Sequence, residues 1–209
     1  MATNGMASPC VLTVPGRGGS EPSHWQSWLE QQFPDTARVV QRNWDEPELT
    51  QWSEITARSI AAIPGPVILV AHSFGCLAGA SALRKISHNV IGALLVAPAS
   101  PARFGIDTQI LSAPLPVPSI VVGSENDPWM TLEAARTLAA TWGSRFVNLG
   151  AAGHINVSSG FGAWPEGKRM VDTLIRDADI VRPRRRLHQR PPRSDGAAPI
   201  RLAELDARR

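Results

Sequence analysis

The sequence predicts an α/β protein built as a three-layer sandwich, in which helices cover both faces of a mostly parallel central sheet. Segments typical of strands and of helices alternate along almost the whole chain. Each strand segment is nearly continuously apolar, as expected for strands that are buried on both faces. The strand segments are 10–14, 37–41, 66–71, 90–97, 117–123 and 145–149, and the helical segments are 22–33, 48–63, 74–86, 131–142 and 163–178.

One long segment, 98–116, carries four prolines and no clear strand or helix pattern. It is long enough to form a flap but too short to form a domain of its own. The fold is therefore expected to have no cap domain.

Composition divides the 209 residues into three parts. A flexible N-terminus at 1–9 precedes one folded domain at 10–180, a size that can bury a core of its own. Residues 182–209 hold nine arginines and three acidic residues, a charge of +6, whereas residues 1–181 carry −3. The tail at 181–209 is expected to be disordered because it has few core-forming residues.

The basic charge thus belongs to the tail, so we expect no specific nucleic-acid binding by the folded domain and at most weak contacts of the tail with anionic surfaces. Two cysteines, Cys10 and Cys76, are too few for a disulfide framework. No apolar run approaches the roughly 20 residues that span a bilayer. The first ten residues carry no Lys or Arg, so no secretory signal is expected. These features predict a cytoplasmic protein.

Ser73 lies where an apolar strand turns into a helix, within Ala71-His72-Ser73-Phe74-Gly75. This context fits the nucleophile elbow G-x-S-x-G, whose tight turn needs small residues on both sides of the serine. Gly75 supplies one small residue, while Ala71 replaces the other glycine and adds one methyl group. The pentapeptide alone is equally compatible with an ordinary strand–helix turn.

Two later loops present the groups that a serine nucleophile requires. The fifth predicted strand is followed by Glu125 and Asp127, and the sixth by His154. The order serine, acid, histidine is the order of an elbow-type triad. His154 would accept the proton of Ser73, and Asp127 would orient the imidazole and stabilise its charge. Glu125 is the second candidate for the acid.

The glycine-rich loop 15–20 follows the first strand. In a hydrolase it would direct the backbone N–H of Gly16 or Arg17 at a developing oxyanion, with the N–H of Phe74 as second donor. A dinucleotide loop is disfavoured because G-x-G-x-x-G would need a glycine where Glu21 stands, and a phosphate loop because the Lys-Ser/Thr pair is lacking.

Three of the seven tryptophans flank these loops. Trp25, Trp28 and Trp129 are candidates for an apolar acyl or aryl pocket, although core packing is the commoner fate of a tryptophan. His72 is expected to point away from the substrate, and His24 to pack or to lie at the entrance. No cluster has metal-ligand spacing, so neither a metal nor another cofactor is expected.

Together these motifs resemble the small lidless α/β-hydrolases grouped with bacterial YdeN and the animal retinoblastoma-binding protein 9. The similarity covers about residues 10–175 and lies in Val14-Pro15-Gly16 with Ser20 and His24-Trp25, in Ala71-His72-Ser73-Phe74-Gly75, in Ser124-Glu125-Asn126-Asp127-Pro128 and in Gly153-His154-Ile155-Asn156. The resemblance implies an α/β-hydrolase fold, Ser73, Asp127 and His154 as the triad, and a serine hydrolase acting on esters or amides.

We therefore expect a carboxylesterase-like enzyme of class EC 3.1.1, or more broadly EC 3, that cleaves a small-molecule ester through an acyl-Ser73 intermediate. Amides and thioesters are further candidate substrates. The alternative is a catalytically silent module of the same fold that binds a protein.

Overall fold

The computed structural model describes the backbone of residues 8–188, with side chains up to Asp179. The predicted flexible N-terminus lies almost entirely outside the described residues, and so does the predicted tail from 189 onward. Within the described part, strands and helices alternate along the chain as predicted. The strands are β1 (Cys10–Val14), β2 (Thr36–Arg38), β3 (Val67–His72), β4 (Val90–Val96), β5 (Ser119–Gly123) and β6 (Arg145–Asn148). The α-helices are α1 (Trp25–Glu30), α2 (Leu49–Ala61), α3 (Phe74–Lys85), α4 (Leu132–Thr141) and α5 (Pro165–His188).

The six strands form one sheet in the order β2-β1-β3-β4-β5-β6, and every neighbouring pair is parallel. Consecutive side chains of a strand point to opposite faces, and the apolar strands therefore supply two cores. Leu69 and Ala71 of β3 join the core under α2 and α3, whereas Ile68 and Val70 join the core under α1 and α5. The three-layer α/β sandwich is confirmed.

Parallel strands end at the same edge of a sheet, and the loops that leave this edge meet there. Ser73 follows β3, the Asp127 loop follows β5 and the His154 loop follows β6. The loop after β1 reaches the same edge. The topology therefore collects at one edge the residues that the sequence singled out.

The segment 98–116 forms two short 3₁₀ turns, Pro101–Phe104 and Thr108–Leu111, and it stays close to the domain with Leu111 buried. Such turns close i to i+3 bonds within four residues and leave no periodic apolar pattern for sequence analysis to detect. No cap domain occurs among the described residues.

The last helix, α5, runs to His188, ten residues beyond the end predicted near 178. The prediction ended the helix where the core-forming residues end, but arginine and leucine also have a high helix propensity. None of the described helices combines the length and the apolar character that crossing a bilayer requires. Cys10 and Cys76 are both buried and unpaired.

Candidate active site

Ser73 occupies a strained turn between β3 and α3. Its φ of 54° and ψ of −125° place a non-glycine residue in the left-handed half of backbone space, at a cost of about 1–3 kcal/mol. The Ser73 N–H donates to the carbonyl of Val96 at 3.0 Å and fixes the turn to β4. The hydroxyl makes no capping bond to α3, so Oγ is available to other partners.

Two glycines allow the backbone to approach this turn closely. A Cβ on Gly75 would lie 2.3 Å from the carbonyl oxygen of Val14 and 2.5 Å from that of Pro15. The small residue after the serine is thus required by β1. A Cβ on Gly16 would lie 2.7 Å from Cβ of Ser73. The sequence predicted the first requirement but gave no indication of the second.

Ser73, His154 and Asp127 form one hydrogen-bonded chain. His154 Nε2 lies 2.8 Å from Ser73 Oγ, and its Nδ1 lies 3.0 and 2.9 Å from the two carboxylate oxygens of Asp127. The side chains of His154 and Asp127 are only 8% and 3% exposed, so water competes little for these bonds. Glu125, the second candidate acid, instead accepts from the side-chain amide of Asn148 at 2.9 Å.

The loops that carry the acid and the histidine are joined by their own polar side chains. The N–H of Gly153 donates to Oδ1 of Asn126 at 2.6 Å, and the N–H of Ala152 donates to Oγ of Ser124 at 2.9 Å. On the other side, the His154 N–H donates to Oγ of Ser159 at 3.1 Å. These bonds fix the position of the imidazole relative to the carboxylate.

A cavity of about 400 Å³ opens over Ser73. Its wall is largely polar and carries both charges, with two aromatic side chains, Phe104 and Trp129. The lining residues are Arg17, Gly18, Gly19, Glu21, His24, Asp45, His72, Ser73, Phe104, Trp129, His154, Asn156, Val157 and Ser158. The arrangement can hold a small molecule against the serine.

Two of the three candidate pocket tryptophans are not in this cavity. Trp25 is fully buried, packs edge-on against Trp164 and donates from Nε1 to the carbonyl of Ile155 at 2.8 Å. Trp28 packs against the same core. The prediction was wrong for both because α1 turns this face toward the sheet. Trp129 does line the cavity.

His72, which was expected to point away from the substrate, is only 5% exposed. His72 lines the cavity, and its Nε2 lies 3.0 Å from the carbonyl oxygen of His154. Burial, and secondarily electrostatic repulsion from the neighbouring His154 and His24, lowers the pKa of His72 well below its ordinary value. Burial likewise lowers the pKa of His24 to about 4. Both rings are therefore neutral near neutral pH.

The three residues predicted to donate to an oxyanion, Phe74, Gly16 and Arg17, all lie near Ser73. Phe74 is the first residue of α3, where backbone N–H groups have no partner within the helix. Gly16 lies against Ser73, and Arg17 lines the cavity above it. Within residues 8–188, no group of three or more His, Cys, Asp or Glu side chains could hold a metal ion.

The all-parallel sheet, the strained serine after β3 and the acid and histidine loops after β5 and β6 define an α/β-hydrolase. A family model described as serine hydrolase matches residues 11–173, which is most of the chain. The protein belongs to this family.

Similar solved structures show to which group of serine hydrolases the protein belongs. A YdeN-like hydrolase from Pectobacterium atrosepticum is 38% identical, with a TM-score of 0.77 over 81% of this chain and 92% of that chain. The YdeN protein of Bacillus subtilis is 20% identical, with a TM-score of 0.66 over 80% of this chain and 98% of that chain, and so agrees in fold. The same holds for an esterase domain from Rhodothermus marinus, at 14% identity and a TM-score of 0.64 over 83% of this chain and 89% of that chain. No curated protein sequence matches the chain significantly. The protein is a small α/β serine hydrolase of the YdeN-like family.

Proposed function

We propose that this protein is a carboxylesterase that cleaves small-molecule esters through an acyl-Ser73 intermediate. The observation that carries the proposal is the continuous chain from Ser73 Oγ through His154 to Asp127, with contacts of 2.8 to 3.0 Å. These distances fit a nucleophile bonded to its base and a base bonded to its orienting acid.

In the first half of the reaction, Ser73 Oγ attacks the ester carbonyl carbon while its proton passes to Nε2 of His154. The oxygen of the carbonyl becomes an oxyanion. Collapse of this tetrahedral species breaks the bond to the alcohol, which leaves with the proton from His154. Asp127 stabilises the imidazolium in between, because both of its oxygens lie within 3.0 Å of Nδ1.

In the second half, a water molecule attacks the acyl-serine and gives its proton to His154. The new tetrahedral species releases the carboxylic acid, and Ser73 recovers its proton from the imidazolium. The two halves together convert an ester and water into an acid and an alcohol, so the enzyme returns to its starting state without a cofactor.

The oxyanion is assigned to the backbone N–H of Phe74 with that of Arg17 or Gly16. The N–H of Phe74 is at the N-terminus of a 12-residue helix, where the helix dipole also favours negative charge. One oxyanion donor typically contributes about 10²–10³-fold to kcat. Loop 15–20 is held for this role by its contact with Ser73 and by the Gly18 N–H, which donates to Trp44 O at 3.0 Å.

The cavity favours small substrates. A volume of about 400 Å³ with a mixed polar and aromatic wall suits a short acyl group with a small or aromatic alcohol. Amides and thioesters would follow the same path, and relative kcat/KM over matched ester, thioester and amide substrates ranks them.

The test measures hydrolysis of 4-nitrophenyl acetate and butyrate by the wild type and by Ser73→Ala and His154→Ala. We expect turnover by the wild type, and a fall in kcat of at least about 10³-fold in each variant. Near-normal turnover in His154→Ala would mean that another group is the base. A folded wild type that turns over no ester, thioester or amide would favour the catalytically silent binding module.

A further inference from the structure

Two side chains from outside the His154 loop hold consecutive carbonyls within it. His72 Nε2 lies 3.0 Å from the oxygen of His154, and Trp25 Nε1 donates to the oxygen of Ile155 at 2.8 Å. Between them the backbone is strained, because Ile155 is β-branched and has a φ of 49°. Such a residue persists in this region only when its surroundings hold it there.

The contact with the His154 carbonyl determines which ring nitrogen of His72 carries the proton. A carbonyl oxygen can only accept, so Nε2 of His72 carries the hydrogen and donates it. The ring centroids of His72 and His154 are 5.0 Å apart, and those of His72 and His24 are 4.9 Å apart. A charged His72 would repel the imidazolium of His154, whereas a neutral ring donates the same bond without that repulsion.

His72 also adjoins Ser73 in the chain. The contact therefore links the backbone that carries the nucleophile directly to the backbone that carries the base. We propose that His72 is a positioning residue for ester hydrolysis, and that its Nε2–H holds the His154 carbonyl so that the imidazole stays within hydrogen-bond reach of Ser73 and Asp127. This inference rests on the proposed function.

The test removes the donor and keeps the ring. His72→Phe abolishes the bond, whereas His72→Gln retains an N–H near the position of Nε2. His72→Asn, whose amide lies nearer the position of Nδ1, provides a second variant without the bond if His72→Phe does not fold. The matched control is Trp142→Phe, which deletes an equally buried donor bond, from Nε1 to the carbonyl of Leu111 at 3.0 Å, away from the cavity.

We expect kcat for 4-nitrophenyl acetate to fall about 10- to 100-fold in His72→Phe with KM within about threefold, since a misplacement approaching 1 Å costs about 10² in rate. His72→Gln should recover most of kcat. Trp142→Phe should lose stability in urea but keep kcat. A rise in KM without a fall in kcat would show a substrate contact and overturn the positioning role. An equal fall in kcat in the control would also overturn it.

A second readout does not depend on turnover. The proton on Nδ1 of His154, bonded to Asp127, should give a low-field NMR resonance that is absent in Asp127→Asn. It should be sharp in the wild type and His72→Gln, and broadened by solvent exchange in His72→Phe. An unchanged resonance in His72→Phe would refute the role of His72 even if the wild type turned over no ester. Absence of turnover by the wild type would refute the proposed function instead.

Discussion

Gly75 is the position where one added methyl group should affect the site most. An alanine Cβ there would lie 2.3 Å from the carbonyl oxygen of Val14 and 2.5 Å from that of Pro15, whereas real Cβ atoms almost never approach a heavy atom within 3.0 Å. The start of α3 would have to move from β1 by about 0.7 Å, the difference between the first distance and that limit. Both contacts are backbone, so no side chain can turn aside.

This shift should disturb Ser73, two residues before Gly75, more than the rest of the fold. Overpacking of this kind typically costs about 1–3 kcal/mol in free energy of unfolding. Displacement of the nucleophile from His154 by most of an ångström should lower kcat by about 10²-fold. Urea denaturation measures the first effect, and steady-state hydrolysis of 4-nitrophenyl acetate measures the second.

Gly79 provides the matched control, one turn further along α3. Its added Cβ would lie 3.0 Å from Cδ2 of Leu69, the end of a flexible side chain, and 3.7 Å from Cβ of Ala71. Gly79→Ala should therefore retain kcat within about threefold, and helix propensity offsets part of the packing cost. A Gly75→Ala enzyme as active as Gly79→Ala would show that β1 does not fix the position of the serine.

Three further variants test other parts of the site. Asp127→Asn should lower kcat by about 10⁴-fold because it supports the wrong tautomer of His154. Glu125→Gln, in the same loop, should leave kcat nearly unchanged. Comparable losses of kcat in both variants would contradict the assignment of Asp127 as the acid. Trp129→Ala should enlarge the cavity and raise the kcat/KM ratio of hexanoate to acetate esters about tenfold, and an unchanged ratio would place the acyl group elsewhere. Folding lowers the pKa of His24 to about 4, so the unfolded chain binds more protons between pH 6.5 and 4 and stability falls as pH falls through that window. Urea denaturation should show a loss from this group of about 2 kcal/mol between pH 6.5 and 5, which His24→Asn removes while keeping an acceptor for the helix cap. If the stability of His24→Asn falls over this pH range as much as that of the wild type, other groups are responsible for the pH dependence.

The sequence predicted the sheet and the reactive residues for the same physical reason. The four inner strands are buried on both faces and almost continuously apolar, so their ends are sharply marked, whereas the edge strands β2 and β6 are only partly buried. All strands are parallel, and a polar residue just past the end of one strand therefore meets those past its neighbours. Knowing only that Ser73, Asp127 and His154 each follow a strand was enough to expect them at one edge.

Which other side chains line the cavity was harder to predict, because it depends on which face each helix or strand turns inward. The spacing of Trp25 and Trp28 marks one face of α1, but whether that face meets the sheet or the cavity is set by tertiary packing. For His72, the sequence did contain an indication of the face on which the side chain lies. Alternation along β3 puts it on the same face as Ile68 and Val70, the face that packs against α1.

The close approach of Gly16 to Ser73 has no such signal. It arises from the position of the loop after β1 relative to the elbow, two segments that are far apart in the sequence. Local pattern gives no information on contacts of this kind.

We propose that Ser73 is the acylated nucleophile, and peptide mass spectrometry after reaction with a fluorophosphonate can identify the residue that is modified. We expect one adduct per chain, on the peptide that contains Ser73, and none in a folded Ser73→Ala variant. An adduct on another residue, or labelling that persists in Ser73→Ala, would contradict it.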